Sequence, residues 1–84
     1  MDKINVIIKF FGPIESVIGR AELSASIRAD RSSGLTDICN IIRNEAGKEV
    51  LFSILINGSS IDLCKKERFD EHDTFSIIPI VLGG

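Results

Sequence analysis

The chain has 84 residues, enough for one domain with a modest core, because a chain this short buries only about 60–65% of the surface its unfolded form exposes. With 44% hydrophobic and 26% charged residues, its composition is neither disordered nor fibrous. A net charge of −2, with Lys65-Lys66-Glu67-Arg68 as the only basic cluster, argues against a nucleic-acid binder and leaves that cluster reading as a solvated loop.

Residues 3–11, KINVIIKFF, alternate, with Ile4, Val6, Ile8 and Phe10 on one face and Asn5, Ile7, Lys9 and Phe11 on the other, which predicts a half-buried strand. Gly12-Pro13 breaks it, and IESVIG supplies one or two helical turns ending at Gly19. Residues 21–28, AELSASIR, alternate again, with Leu23, Ala25 and Ile27 inward, and are expected to pair antiparallel with the first strand. Leu35, Ile38, Cys39, Ile41, Ile42 and Ala46 then recur at i, i+3, i+4, i+7 spacing, the signature of one amphipathic helix of about twelve residues. Ser32 or Ser33 is expected to cap its start, with Asp37 in the first turn and Gly47 just past its end. Cys39 lies on the apolar stripe and is expected in the core.

Residues 51–57, LFSILIN, form a third strand with Phe52, Ile54 and Ile56 sharing a face. Asn57-Gly58 is the strongest hairpin signal in the chain and leads into a short return strand over 60–63. Phe69 is expected beneath a charged loop, residues 70–73 make an acidic turn, and residues 74–80 form the last strand with Phe75 and Ile77 inward. The order strand, strand, helix, strand, short strand, strand predicts an α+β fold: a mixed sheet of four to five strands with one main helix on one face. A chain that starts and ends in strands fits a β-grasp arrangement, in which the first and last strands pair in parallel across a long crossover. Phe52, Phe75 and Ile38 are expected in its core.

One helix covers one face of such a sheet. Alternation then puts Ile7, Phe11, Leu51, Leu55, Ile78 and Ile80 on the uncovered face, a candidate partner surface if contiguous. The chain closes on IIPIVLGG. Pro79 cannot donate to a sheet ladder, so it should mark where pairing weakens. The domain is accordingly read as residues 1–84 with a flexible tail over 79–84. Val81, Leu82, Gly83 and Gly84 could reach into a narrow channel, because glycine brings no side chain and leaves a terminal carboxylate open to attack.

No active site of the chain's own is evident. His72 stands between carboxylates in a turn, Cys64 has no clear context that would activate its thiol, and no glycine-rich phosphate loop is present. Cys39 and Cys64, with a single histidine, have no metal-ligand spacing, and cysteine this sparse suits a reducing cytoplasm. No window of 18 apolar residues predicts a membrane span, and the first residues lack a signal-peptide layout.

Over nearly its whole length the chain resembles the MoaD/ThiS family of ubiquitin-like sulfur carriers. The match is carried by the opening strand, FFGPIESVIGR, the single helix, ILINGSSI, the acidic turn and, above all, IIPIVLGG. Within that family it looks most like the small subunit of molybdopterin synthase. The resemblance implies that an adenylyltransferase related to ubiquitin-activating enzymes (MoeB/ThiF-like) uses ATP to convert the Gly84 carboxylate to an acyl-adenylate. A persulfide sulfur then displaces AMP and leaves a thiocarboxylate. The loaded tail would enter a MoaE-like large subunit of molybdopterin synthase and donate sulfur to a pterin precursor in molybdenum cofactor biosynthesis. On this reading Ile7, Phe11, Leu55, Ile78, Pro79 and Ile80 meet the partners. The chain is a non-catalytic sulfur donor of a cytoplasmic sulfurtransferase, with no bound cofactor, metal, nucleic acid or membrane, and ATP is consumed on the activating enzyme. Ile77, Ile78 and Ile80 stand where the family often carries two aromatic residues and a second proline. Relatives with the same tail supply sulfur for thiamin or tRNA or are joined to lysines as protein modifiers, and that alternative stays open, as does an interaction module with an inert tail.

Overall fold

The computed structural model describes residues 2–80. Its elements are β1 (Lys3–Phe10), α1 (Pro13–Ile18), β2 (Glu22–Arg28), α2 (Arg31–Ala46), β3 (Phe52–Ile56), β4 (Ser59–Ser60) and β5 (Thr74–Pro79). The strands form one sheet in the order β2-β1-β5-β3-β4. β1 lies antiparallel to β2, with Ile8 opposite Leu23, and parallel to β5, with Ile8 opposite Phe75. β3 runs antiparallel along the other side of β5. This is the α+β, β-grasp arrangement expected from the order of elements, and the parallel pair is joined by a crossover that contains most of the chain.

Alternation on the strands and the helical stripe on α2 meet in one core. Val6, Ile8, Phe10, Ile27, Ile38, Ile42, Ile56, Phe69, Phe75 and Ile77 are all buried there. Each large apolar side chain so buried stabilises the fold by about 1.5–3 kcal/mol. Phe69 meets Phe75 edge to face, with ring centroids 5.0 Å apart. Phe52, expected in the core, is half-buried and packs against its rim, because β3 is flanked there by little chain. The Asn57-Gly58 turn has both residues at positive φ, 49° and 88°, as a tight two-residue hairpin requires.

Several local expectations are corrected. α2 begins at Arg31 and runs 16 residues, and its cap is Asp30, whose carboxylate accepts from the Ser33 N–H at 3.0 Å, rather than Ser32 or Ser33. Asp37 therefore falls outside the first turn, where it instead holds the Arg28 guanidinium at 2.8 and 3.0 Å. The buried stripe of α2 is Gly34, Ile38 and Ile42, at strict i+4 spacing, so Cys39 is rotated to the shoulder of the helix and is exposed. β4 is shorter than the expected 60–63 strand. After Ser60 the chain turns, with Leu63 N–H and Cys64 N–H both donating to Ser60 O. Arg31 holds that turn: its guanidinium donates to the carbonyls of Ile61 (2.6 Å), Cys64 (2.8 Å) and Lys66 (3.0 Å).

The basic run is likewise not a purely solvated loop. Lys66 is half-buried and donates to Asp73 at 2.7 Å and Asp70 at 2.9 Å. Asp73 is buried and also accepts from the Asn57 side chain at 3.0 Å and the Asp70 N–H at 2.9 Å. Burial works to raise the Asp73 pKa, but the hydrogen bonds from Asp70, Lys66 and Asn57 outweigh it and hold the carboxyl below the usual range. This network ties the acidic turn to the β3–β4 hairpin and fixes where β5 enters the sheet.

Candidate functional site

β5 is the central strand of the sheet, and its C-terminal end is the base of the tail. Phe11 N–H donates to Ile77 O at 3.2 Å. In a parallel ladder the next bond would run from residue 79 back to the Phe11 carbonyl. Pro79 has no N–H, so β1 and β5 separate at that residue. On its other side Pro79 faces Phe52 at a non-hydrogen-bonded position: the Asn57 N–H donates to Thr74 O, so the bonded pairs with β3 fall at Leu55 and Ser53, and the missing donor costs nothing there. Of the expected tail 79–84, Pro79 thus belongs to β5. Val81, Leu82, Gly83 and Gly84 lie outside the described residues.

The chain leaves β1 through Gly12, whose backbone at φ 57°, ψ −139° is open to glycine and to few other residues. A Cβ there would sit 3.5 Å from Pro79 Cγ, so the turn lies directly against the end of β5. Pro13 then starts α1 with its φ already suited to a helix, and Gly19 ends it in a left-handed conformation.

The strand register fixes the arrangement of the expected partner residues. On the face away from α2, Ile7 lies between Ser24 and Thr74, and Lys9 lies between Glu22 and Ser76, with Leu55 beyond. Continuing the register sets Phe11 beside Ile78, and Ile80 and Leu51 are the next residues beyond the last β5–β3 pair, Pro79 and Phe52. The open face is therefore not one apolar sheet. Lys9 and Ser76 separate Ile7 from an apolar cluster at the tail end made by Phe11, Ile78, Ile80 and Leu51, whereas Leu55, opposite Ser76 and diagonal to Ile78, borders that cluster. Phe11 is 44%, Ile80 42% and Leu51 64% exposed, unusually open for large apolar side chains gathered at one place. Pro79 points to the opposite face. There it lines a shallow groove of about 230 Å³ with Pro13, Val17, Val50 and Leu51, so that Leu51 borders both faces at this end of the sheet. Val17 was not foreseen: a helix of six residues offers too little periodicity to say which side chains face outward.

Among the described residues no cluster of three His, Cys, Asp or Glu side chains is placed to hold a metal. His72 is exposed in a turn at φ 67°, its N–H donating to Asn5 O at 2.7 Å, which gives it a backbone role. Partial burial raises the Cys39 thiol pKa, with Arg43 acting weakly the other way. No helix among the described residues is long and apolar enough to cross a membrane.

No family model and no curated protein sequence matches the chain. Solved structures do. The molybdopterin converting factor, subunit 1, of Pyrococcus furiosus superposes with a TM-score of 0.70 at 18% identity, covering 93% of this chain and 99% of that one. The small archaeal modifier protein 1 of Methanosarcina acetivorans gives 0.70 at 22% identity and full coverage of both chains. Urm1 of Sulfolobus solfataricus gives 0.66 at 22% identity, covering 88% of this chain and 99% of that one. At such identities the likeness is one of fold, and the fold is the ubiquitin-like β-grasp over the whole domain.

Proposed function

We propose that this chain is a ubiquitin-like carrier of the MoaD/ThiS type whose Gly84 carboxylate is its reacting group. The observation that carries the reading is the arrangement at the end of β5. The central strand is released by Pro79 beside an apolar cluster of Phe11, Ile78, Ile80 and Leu51 and leads into the sequence Val81-Leu82-Gly83-Gly84. In this reading the cluster docks on partner proteins, and Lys9 and Ser76 set the boundary of that contact on the open face. An adenylyltransferase partner consumes ATP: a Gly84 carboxylate oxygen attacks the α-phosphorus, pyrophosphate leaves, a persulfide sulfur later displaces AMP, and a thiol cleaves the resulting acyl disulfide, leaving the thiocarboxylate and a new disulfide. The thiocarboxylate so formed supplies sulfur in molybdopterin synthesis, with a large synthase subunit as the second partner, in the cytoplasm. The Pyrococcus furiosus neighbour, named as a molybdopterin converting factor subunit, supports that acceptor.

The test is loading itself. With ATP, a sulfur donor and the cognate adenylyltransferase, the wild-type chain gains a C-terminal thiocarboxylate. Deleting Gly84, or appending one residue after it, abolishes loading and leaves thermal unfolding unchanged. Loading that survives both changes would overturn the reading. A second reading is favoured by neighbours named as archaeal modifier proteins: the same activated Gly84 forms an isopeptide bond with lysines of other proteins. It predicts high-mass adducts in cell extract that vanish with Gly84, and their absence would exclude it.

A further inference from the structure

The sheet order leaves β2 at an edge. Its pairing with β1 is phased by Phe10 N–H donating to Ala21 O at 2.8 Å and Ala29 N–H donating to Asp2 O at 3.0 Å. Alternation then commits the backbone groups of Ala21, Leu23, Ala25 and Ile27 to β1 and turns those of Glu22, Ser24 and Ser26 outward. All three are exposed, and no described residue bonds their outward amides or carbonyls. The edge is closed one step later. Arg28 N–H donates to Asp37 Oδ2 at 2.8 Å, and its carbonyl lies under α2, where a Cβ on Gly34 would approach within 2.6 Å. Between the Gly19-Arg20 turn and Arg28, the edge offers six free backbone groups, with no proline, bulge or lysine to guard them.

We propose that this edge pairs with a second copy of the chain, β2 against β2, antiparallel about a twofold axis at Ser24. The open stretch is self-complementary in this register alone. Ser24 stands opposite Ser24 and Glu22 opposite Ser26, so all six groups of each copy that face outward are bonded. Shifting the axis to Ala25 would set Glu22 against Arg28, whose amide Asp37 already holds. Shifting it to Leu23 would set Ser26 against Arg20, outside the strand. In the Ser24 register Arg28 of each copy falls opposite Arg20 of the other at the rim of the bonded stretch, where Asp37 already holds the Arg28 guanidinium and Glu22 of the other copy lies diagonal to it, within reach of a long side chain. A foreign strand would gain the same backbone bonds but not this doubled match, which is why a second copy is the occupant. The product is a continuous ten-stranded sheet with both α2 helices on one face. Because the twofold axis reverses strand direction, the two C-terminal ends leave at opposite ends of the sheet, and neither apolar cluster is covered.

Sedimentation equilibrium of the full chain from micromolar to millimolar concentration tests this. A monomer–dimer equilibrium is expected, with amide exchange at Glu22, Ser24 and Ser26 slowing as concentration rises. Ser24→Pro removes an outward donor from each copy and leaves the β1 ladder intact, since proline is tolerated on an edge strand with its nitrogen facing out. It should weaken the dimer roughly 10- to 100-fold, as loss of two backbone hydrogen bonds predicts. Ser24→Lys carries no risk to the fold and sets two like charges face to face, so it too should dissociate the dimer. A chain that stays monomeric throughout overturns the proposal. So does a dimer that survives both variants, or one abolished by Ile78→Asp, which would place the contact on the apolar face instead.

Discussion

Gly34→Ala is the substitution whose sign the packing reverses. Gly34 lies inside α2, and an alanine in a helix interior is ordinarily favoured over glycine by about 1 kcal/mol. Here the added Cβ would come within 2.6 Å of Arg28 O and 3.0 and 3.1 Å of the Phe69 ring. Neither neighbour can step aside. Arg28 is held by its own amide and guanidinium on Asp37, and Phe69 is buried edge-on against Phe75. Overpacking of this kind costs about 1–3 kcal/mol, and a contact this short on a backbone atom belongs at or above the upper end. The net loss should be about 2 kcal/mol or more, a fall in Tm of at least roughly 8–16 °C for a domain of this size. Thermal unfolding followed by circular dichroism measures it, with Asn44→Ala as a control on the exposed side of the same helix, expected to stabilise by about 0.5 kcal/mol. A Gly34→Ala variant that is more stable than wild type would refute the claim that α2 and the end of β2 are in closest approach at this glycine.

The lowered pKa of Asp73 sets a pH dependence. A carboxyl whose folded pKa lies below its unfolded value, near 3.9, adds stability above that range and loses it as pH falls through the folded pKa. Asp73→Asn should cost about 1.5–3 kcal/mol near neutral pH by stripping Lys66 of the more buried of its two carboxylate partners, and it should flatten the loss of stability below about pH 4. Urea midpoints at pH 7 and pH 3 decide it, and an unchanged acid slope would contradict the assignment. Arg31→Met should free the 61–67 segment and speed amide exchange there, and Arg31→Lys should not rescue it, because an ammonium cannot reach three carbonyls in the same fork. Ile78→Asp should still fold, with a modest loss of stability because Ile78 is half-buried on the central strand, yet reduce adenylation by at least tenfold at a temperature where the variant is folded; wild-type adenylation would remove the apolar cluster from the docking surface.

The strands were legible because β-branched and aromatic residues alternate with polar ones, and that period survives any tertiary context. Their order fixed the sheet. What eluded the sequence depends on contacts between distant residues or on small rotations. Arg31-Ser32-Ser33-Gly34 reads as a loop by composition, and only the Asp30 carboxylate on the Ser33 amide makes it the first turn of α2. Cys39 and Ile38 are one residue apart, about 100° of helix, which is enough to take the thiol out of the core. The three carbonyls that Arg31 gathers lie 30 to 35 positions away in sequence. The candidate surface was read residue by residue but not as a shape. The placing of Lys9 and Ser76 between Ile7 and the tail-end cluster follows from cross-strand register, which alternation alone leaves open.

The central claim is that Gly84 carries the reacting carboxylate, and the intact mass of the protein purified from its native cells tests it most directly. The account predicts a species heavier than the free acid by the difference between one sulfur and one oxygen, which disappears on alkylation at the C-terminus. Free acid alone, even after incubation with ATP, a sulfur donor and the cognate activating enzyme, or a mass showing further residues beyond Gly84, would contradict it.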